Sequence, residues 1–232
     1  MTDEREKYPQ VFFASDRSVL IKTGDTISEK NHETVHNYFD LFSLNPAAGT
    51  QSIHPAYNSI LLTFDPAVIN PAEFLSEVKL KLLNAIPFIY PDKHLIEIPV
   101  CYDEEFAPDI SIVANHNSIT VEKVIEIHCT PEYLVYFLGF SPGFPYLGGM
   151  SHSISTPRLQ TPRIKVPEGS VAIGGDHTGI YPLSSPGGWN IIGRTPLKLF
   201  SPEKKEPTLL KLGYKIKFIP ISKEEFFEMK NT

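Results

Sequence analysis

The sequence predicts an α+β chain of two successive parts, a small α/β domain over residues 1–90 and a strand-rich barrel or sandwich over 91–232. Three observations lead there. The first third alternates short apolar runs with stretches of helical apolar spacing. Eleven of the 14 glycines then fall within the 55 residues from Gly139 to Gly193, together with eight of the 21 prolines in 139–196. Between these regions, Pro87, Pro91 and the polar Asp92-Lys93 read as a linker. Glycine supplies positive φ and close backbone approach, and proline fixes φ and removes a donor. A segment rich in both, yet full of Val, Ile, Phe and Tyr, favours short strands joined by tight turns over long helices.

The elements follow in order. Val11–Ala14 and Ser18–Lys22 read as two strands around a turn at Ser15-Asp16-Arg17. Val35, Tyr38, Phe39 and Phe42 stand at i, i+3, i+4 and i+7, which predicts a helix over 29–43, ended at Asn45-Pro46. Ile60–Phe64 is a strand stopped by Asp65-Pro66. A second helix starts with Asn70 as cap, Pro71 in the first turn and Glu73 where a capping acid belongs. The order is therefore β-β-α-β-α. Leu95–Val100 opens the second part as a strand. Short helices follow at Pro108-Asp109 and after Thr120. Tyr133–Phe140 reads as one strand buried on both faces. Leu209–Leu212 and Tyr214–Ile219 are the closing strands, Pro220 ends the last, and Lys223-Glu224-Glu225 is a solvated terminal turn.

Composition narrows the function. A net charge of −6 argues against a general nucleic-acid binder, which needs a basic face for phosphates. No apolar run reaches the roughly 18–20 residues of a membrane helix. The charged start MTDEREKYPQ lacks a signal core, and two separated cysteines, Cys101 and Cys129, do not make a disulfide framework. The expected compartment is the cytoplasm.

Candidate chemistry is sparse. His32-Glu33-Thr34-Val35-His36 matches H-E-x-x-H, but the residues that extend zinc-protease motifs are missing, so no metal site is expected. There is no Walker loop and no nucleophile elbow. Cys129 directly follows His128, a spacing that suits a packed cysteine better than a Cys–His pair. Thr156-Pro157-Arg158 and Thr161-Pro162-Arg163 repeat a unit whose arginines could grip a carboxylate or phosphate, or simply lie on the surface. His128, Tyr146, Asp176, His177, Tyr181, Trp189 and Arg194 lie in or beside the same segment. Trp189 either plugs the barrel or lines a site.

The ordered motifs of this segment carry a resemblance. Phe137–Leu147, Thr156-Pro-Arg158, Pro162-Arg163, Val166–Gly175, Thr178–Pro182, Ser185–Trp189 and Ile192–Thr195 resemble the allophanate hydrolase subunit 1 family, which includes B subunits of 5-oxoprolinases and a sporulation kinase inhibitor. The resemblance implies an N-terminal α/β domain followed by a cyclophilin-like β-barrel. It also implies one component, inactive alone, of a complex that opens the lactam of 5-oxoproline to L-glutamate with ATP hydrolysis, beside A and C subunits. Within the matching motifs, Arg158 and Arg163 are expected at the anion, and His128, just ahead of those motifs, is expected as acid or base. Tyr146, Tyr181, Trp189 and Arg194 are expected on the substrate. The alternative is an inhibitor docking on a histidine kinase; a stand-alone prolyl isomerase rests on fold analogy only.

Overall fold

The computed structural model describes residues 8–86 and 94–230. The predicted linker at Pro87, Pro91 and Asp92-Lys93 lies outside them. The chain divides into two compact units, Met1–Pro91 and Asp92–Thr232.

In the first unit, β1 (Gln10–Ser15), β2 (Ser18–Lys22), β3 (Thr50–Pro55) and β4 (Ser59–Phe64) form an antiparallel sheet of order β1-β2-β4-β3. The helix α1 (Glu29–Leu44) is capped by Ser28, whose side chain accepts from the Asn31 N–H. The helix α2 (Pro71–Leu83) is capped by Asn70, which accepts from the Ala72 N–H. Alternation along β4 turns Ile60, Leu62 and Phe64 inward, where they meet Val35 and Phe42 of α1 and Phe74 and Val78 of α2. Phe64 and Phe74 stack at 4.4 Å. The strand β3 is an addition to the sequence reading. Its Thr-Gln-Ser-Ile-His-Pro is an edge strand with a largely polar run, so it carries no apolar alternation to find.

The second unit is built on seven strands: β5 (Leu95–Cys101), β6 (Tyr133–Leu138), β7 (Pro145–Gly148), β9 (Ser170–Gly174), β10 (His177–Ile180), β12 (Asn190–Arg194) and β13 (Lys215–Ile221). They close into a barrel of order β10-β7-β6-β13-β5-β12-β9. A two-stranded ribbon, β8 (Arg163–Val166) with β11 (Ser185–Gly187), stands apart from the barrel sheet. The helices α3 (Ile110–His116) and α4 (Val121–Cys129) pack on the barrel core, with Thr120 capping α4 through the Lys123 N–H.

Two-residue periodicity gives this barrel two apolar sides. Val171 and Ile173 of β9 and Ile192 of β12 point into the main core, while Ala172 and Ile191 point outward. The outward residues join Phe144, Val166, Tyr181 and Trp189 in a second buried cluster. This is why β9 is buried along its whole length.

Four expectations change here. Tyr133–Phe140 is not one strand: β6 stops at Leu138, and Phe140 is exposed with φ 65°. Leu209–Leu212 is not a strand: Thr208 makes one isolated bridge to Phe200, and Leu210 is apolar because it fills the core from a loop. The terminal turn is an eight-residue helix, α5 (Lys223–Lys230), because Phe226 is buried against Cys101 and Phe106. The last strand also runs through Pro220, which pairs in parallel register with Val100.

Candidate functional site

A groove of about 270 Å³ opens over the outward cluster of the barrel. Its walls are Phe140, Phe144, Tyr146, Tyr181 and Trp189, and its rim includes Pro162 and the Pro186-Gly187-Gly188 turn. Among the described residues, Arg158 is its single cationic lining residue. The rings set one another nearly perpendicular: Phe144 meets Tyr181 at 5.2 Å and 80°, and Trp189 at 5.6 Å and 86°. Tyr146 is held by stacking on Phe137 at 4.5 Å. Two glycines make the packing feasible. A Cβ on Gly174 would lie 2.6 Å from the Trp189 ring, and one on Gly187 would lie 2.3 Å from the Tyr181 hydroxyl. Those glycines, read first as turn formers, are seats for aromatic rings.

Arg158 lies over the Trp189 indole, 5.6 Å from its centroid. The backbone on both sides of Arg158 is tied down. The Asn190 amide donates to the Pro157 carbonyl at 2.9 Å, and the Leu159 N–H donates to the Gly188 carbonyl at 2.7 Å. The side chain is exposed and has no carboxylate partner among the described residues. Burial pushes the Tyr181 phenol up, partly offset by a backbone hydrogen bond from Trp189 and by the charge of Arg158. It is therefore a protonated donor at neutral pH.

The groove thus gathers Arg158, Tyr146, Tyr181 and Trp189 from the predicted set. Trp189 serves both of its readings, being 5% exposed and yet a wall of the groove.

The other three are placed elsewhere. Arg163 in β8 donates through Nη2 to Asp109 Oδ1 at 2.6 Å. Asp109 is buried, and its other oxygen accepts from the Ile191 N–H at 2.7 Å, while its own N–H donates to the Ile191 carbonyl at 2.9 Å. Arg163 Nη2 is committed to an internal clamp that fixes the strand following Trp189, while its buried Nη1 has no hydrogen-bond partner among the described residues. Arg194 donates through Nε to the Glu168 carbonyl at 2.8 Å, on β12.

His128 is fully buried in the barrel core, stacked on Phe218 at 4.4 Å. Burial drives its pKa down to about 3, so the ring is neutral at working pH. Its tautomer follows from its partners. The Thr178 hydroxyl donates to the Ala172 carbonyl at 3.2 Å, so it accepts from His128 Nε2 at 2.9 Å. Nδ1 then accepts from the Tyr102 hydroxyl at 2.8 Å, and that oxygen accepts from the Cys129 thiol at 3.3 Å. Both ring nitrogens are engaged internally, which makes His128 a packing residue rather than a proton carrier for the groove.

In the first unit, His32 is buried in α1 and its ring centroid lies 6.1 Å from that of His36. Among the described residues no three His, Cys, Asp or Glu side chains gather as a metal would require. No helix among them is long and apolar enough to cross a membrane. Sequence reasoning missed Asp109, which looked like a helix opener, and Asn190. Phe140 and Phe144 stood inside a quoted motif but were given no role.

Residues 9–210 match the model of the carboxyltransferase domain, subdomain C and D. The B subunit of 5-oxoprolinase from Bacillus subtilis (strain 168) is 39% identical over 231 residues, covering 95% of this chain and 96% of that one. Its counterpart from Escherichia coli O157:H7, also a 5-oxoprolinase B subunit, is 50% identical over 130 residues, covering 56% and 60%. The crystal structure of TTHA0988 superposes with a TM-score of 0.79 at 32% identity, covering 89% of this chain; the chain spans 40% of that larger one. The chain belongs to the carboxyltransferase subdomain C and D family and, within it, to the group of 5-oxoprolinase B subunits and allophanate hydrolase subunit 1. The closed barrel fits the cyclophilin-like fold that the resemblance implies.

Proposed function

We propose that this chain is the B-type component of a cytoplasmic, ATP-dependent 5-oxoprolinase, and that the groove receives the lactam acid. The observation that carries the reading is the pairing of one guanidinium, with no carboxylate partner among the described residues, with aromatic walls. 5-Oxoproline is a flat five-membered lactam with one carboxylate. Arg158 suits the carboxylate, pre-oriented by Trp189 and by its tied backbone. The aromatic walls suit the ring and exclude water from the amide. The Tyr181 hydroxyl, kept protonated, suits the lactam oxygen as a donor.

The groove does not fit a nucleoside triphosphate. One arginine and about 270 Å³ offer no cradle for three phosphates. ATP activation of the amide is therefore assigned to partner subunits of the A and C type, which makes this chain inactive alone. The names of the relatives favour this reading over a kinase inhibitor.

The test is 5-oxoproline-dependent ATP hydrolysis with this chain alone and mixed with its A and C subunits. Activity only in the mixture is expected; none in an assembled mixture would overturn the reading. Because Trp189 is the only tryptophan and walls the groove, its fluorescence reports occupancy. 5-Oxoproline should change it at concentrations where 2-pyrrolidinone, which lacks the carboxylate, does not.

A further inference from the structure

One residue of the groove is held at a cost that neither the fold nor local preference offsets. Phe140 has φ 65°, a left-handed backbone conformation in which a bulky side chain is disfavoured. Glycine takes that conformation freely, and the same turn contains Gly139 and Gly143. The turn is closely tied: the Gly139 N–H donates to the Phe144 carbonyl at 3.0 Å and the Phe144 N–H to the Ser141 carbonyl at 3.1 Å. It also buries the Ser141 hydroxyl without a hydrogen-bond partner among the described residues. Core burial is no compensation, since the Phe140 ring is 65% exposed. Its ring contacts are perpendicular ones to Phe144 at 5.5 Å and Tyr181 at 6.4 Å, both walls of the groove.

Strain of this kind persists where the surroundings impose it, and it gathers at ligand clamps. An exposed ring, fixed at the mouth of a groove lined by the cation Arg158, is placed to meet something that enters. We propose that Phe140 is a specificity-determining residue that covers the flat ring of a small carboxylate held at Arg158. This rests on the reading of the groove as the lactam-acid site. The exposed ring would gain its buried area only when the ligand is present, so its contribution is read in binding rather than in folding.

Phe140→Gly separates the two. Glycine suits φ 65°, so the full-length variant should unfold within about 3 °C of the parent. In the assembled complex its KM for 5-oxoproline should rise about tenfold with kcat within about twofold, and Phe140→Tyr should restore KM. In the chain alone, Trp189 fluorescence should titrate with a correspondingly weaker 5-oxoproline affinity. An unchanged KM in Phe140→Gly while Arg158→Ala raises it would overturn this proposal and leave the groove reading standing. An unchanged KM in both would overturn the groove reading itself. Failure of Phe140→Gly to assemble, with an unaltered fluorescence titration, would also overturn the proposal by making the ring a contact between subunits.

Discussion

The groove around Arg158 and the polar interior around His128 and Asp109 are built from similar residues, yet they differ in how far their polar atoms are committed. In the interior, Tyr102, His128, Thr178 and Cys129 form one directed chain ending on a backbone carbonyl. Asp109 is likewise shared between Arg163 and the Ile191 backbone. In the groove, Arg158 rests on an indole with its hydrogen-bonding capacity facing solvent. Most buried polar groups are satisfied internally, so their capacity is used up by folding. A group left open beside apolar walls has its capacity in reserve. Residue type and proximity in sequence say little about which of the two a side chain will be.

Substitutions should separate the regions cleanly. The largest effect is expected from Asp109→Ala, which strands a half-buried arginine and the Ile191 N–H together. It should cost about 3 kcal/mol of stability in denaturant unfolding. Arg158→Ala should do the reverse: an unchanged unfolding midpoint, with kcat/KM for 5-oxoproline in the assembled complex down roughly 30- to 150-fold, the equivalent of about 2–3 kcal/mol. A stability loss in Arg158→Ala as large as that in Asp109→Ala would break the comparison. Thr178→Val keeps the shape but orphans the His128 donor, and should cost about 2 kcal/mol of stability while leaving ligand titration of Trp189 unaltered.

Taken per pH unit, the smallest effect is in pH dependence. His128 has a folded pKa of about 3, below its unfolded value of about 6.5. Below pH 6.5 the unfolded chain takes up a proton that the folded barrel refuses. Stability from this residue is therefore full above about pH 6.5 and is lost as pH falls toward 3, at about 1 kcal/mol per pH unit. His128→Gln should flatten that part of the stability profile, measured by urea unfolding between about pH 7 and pH 4.

These contrasts also explain what was legible in the sequence. The helix α2 was, because Asn70, Pro71 and Glu73 are local signals of a helix start. So was the strand-rich character of the Gly/Pro segment. The strand β3 was not, because an edge strand of polar residues has no apolar face to betray it. Leu209–Leu212 misled for the opposite reason: apolar residues without a strand partner fill the core from a loop. Phe140 looked like the end of a buried strand because a left-handed φ leaves no mark on residue type. The repeated Thr-Pro-Arg unit showed two equivalent arginines. Only the partner 54 positions away, Asp109, distinguishes Arg163 from Arg158. Four groove residues could be gathered from one motif-rich segment, whereas the engagement of His128 depends on Tyr102 and Thr178, 26 and 50 residues distant.

The strand β13 lies parallel to β5 over seven residue pairs, from Lys215 with Leu95 to Ile221 with Cys101. The seam of the barrel thus joins a strand made early to one made late. During synthesis, β5 and β6 emerge with the intervening slot vacant, and it stays vacant until residues beyond 215 leave the ribosome. Until then two unpaired strand edges are available to other chains. Closure also carries the entropy of a loop of roughly 100 residues or more, which marks a slow-folding topology. A nascent chain halted before Lys215 would be expected to engage chaperones, whereas one released after Ile221 could seal itself.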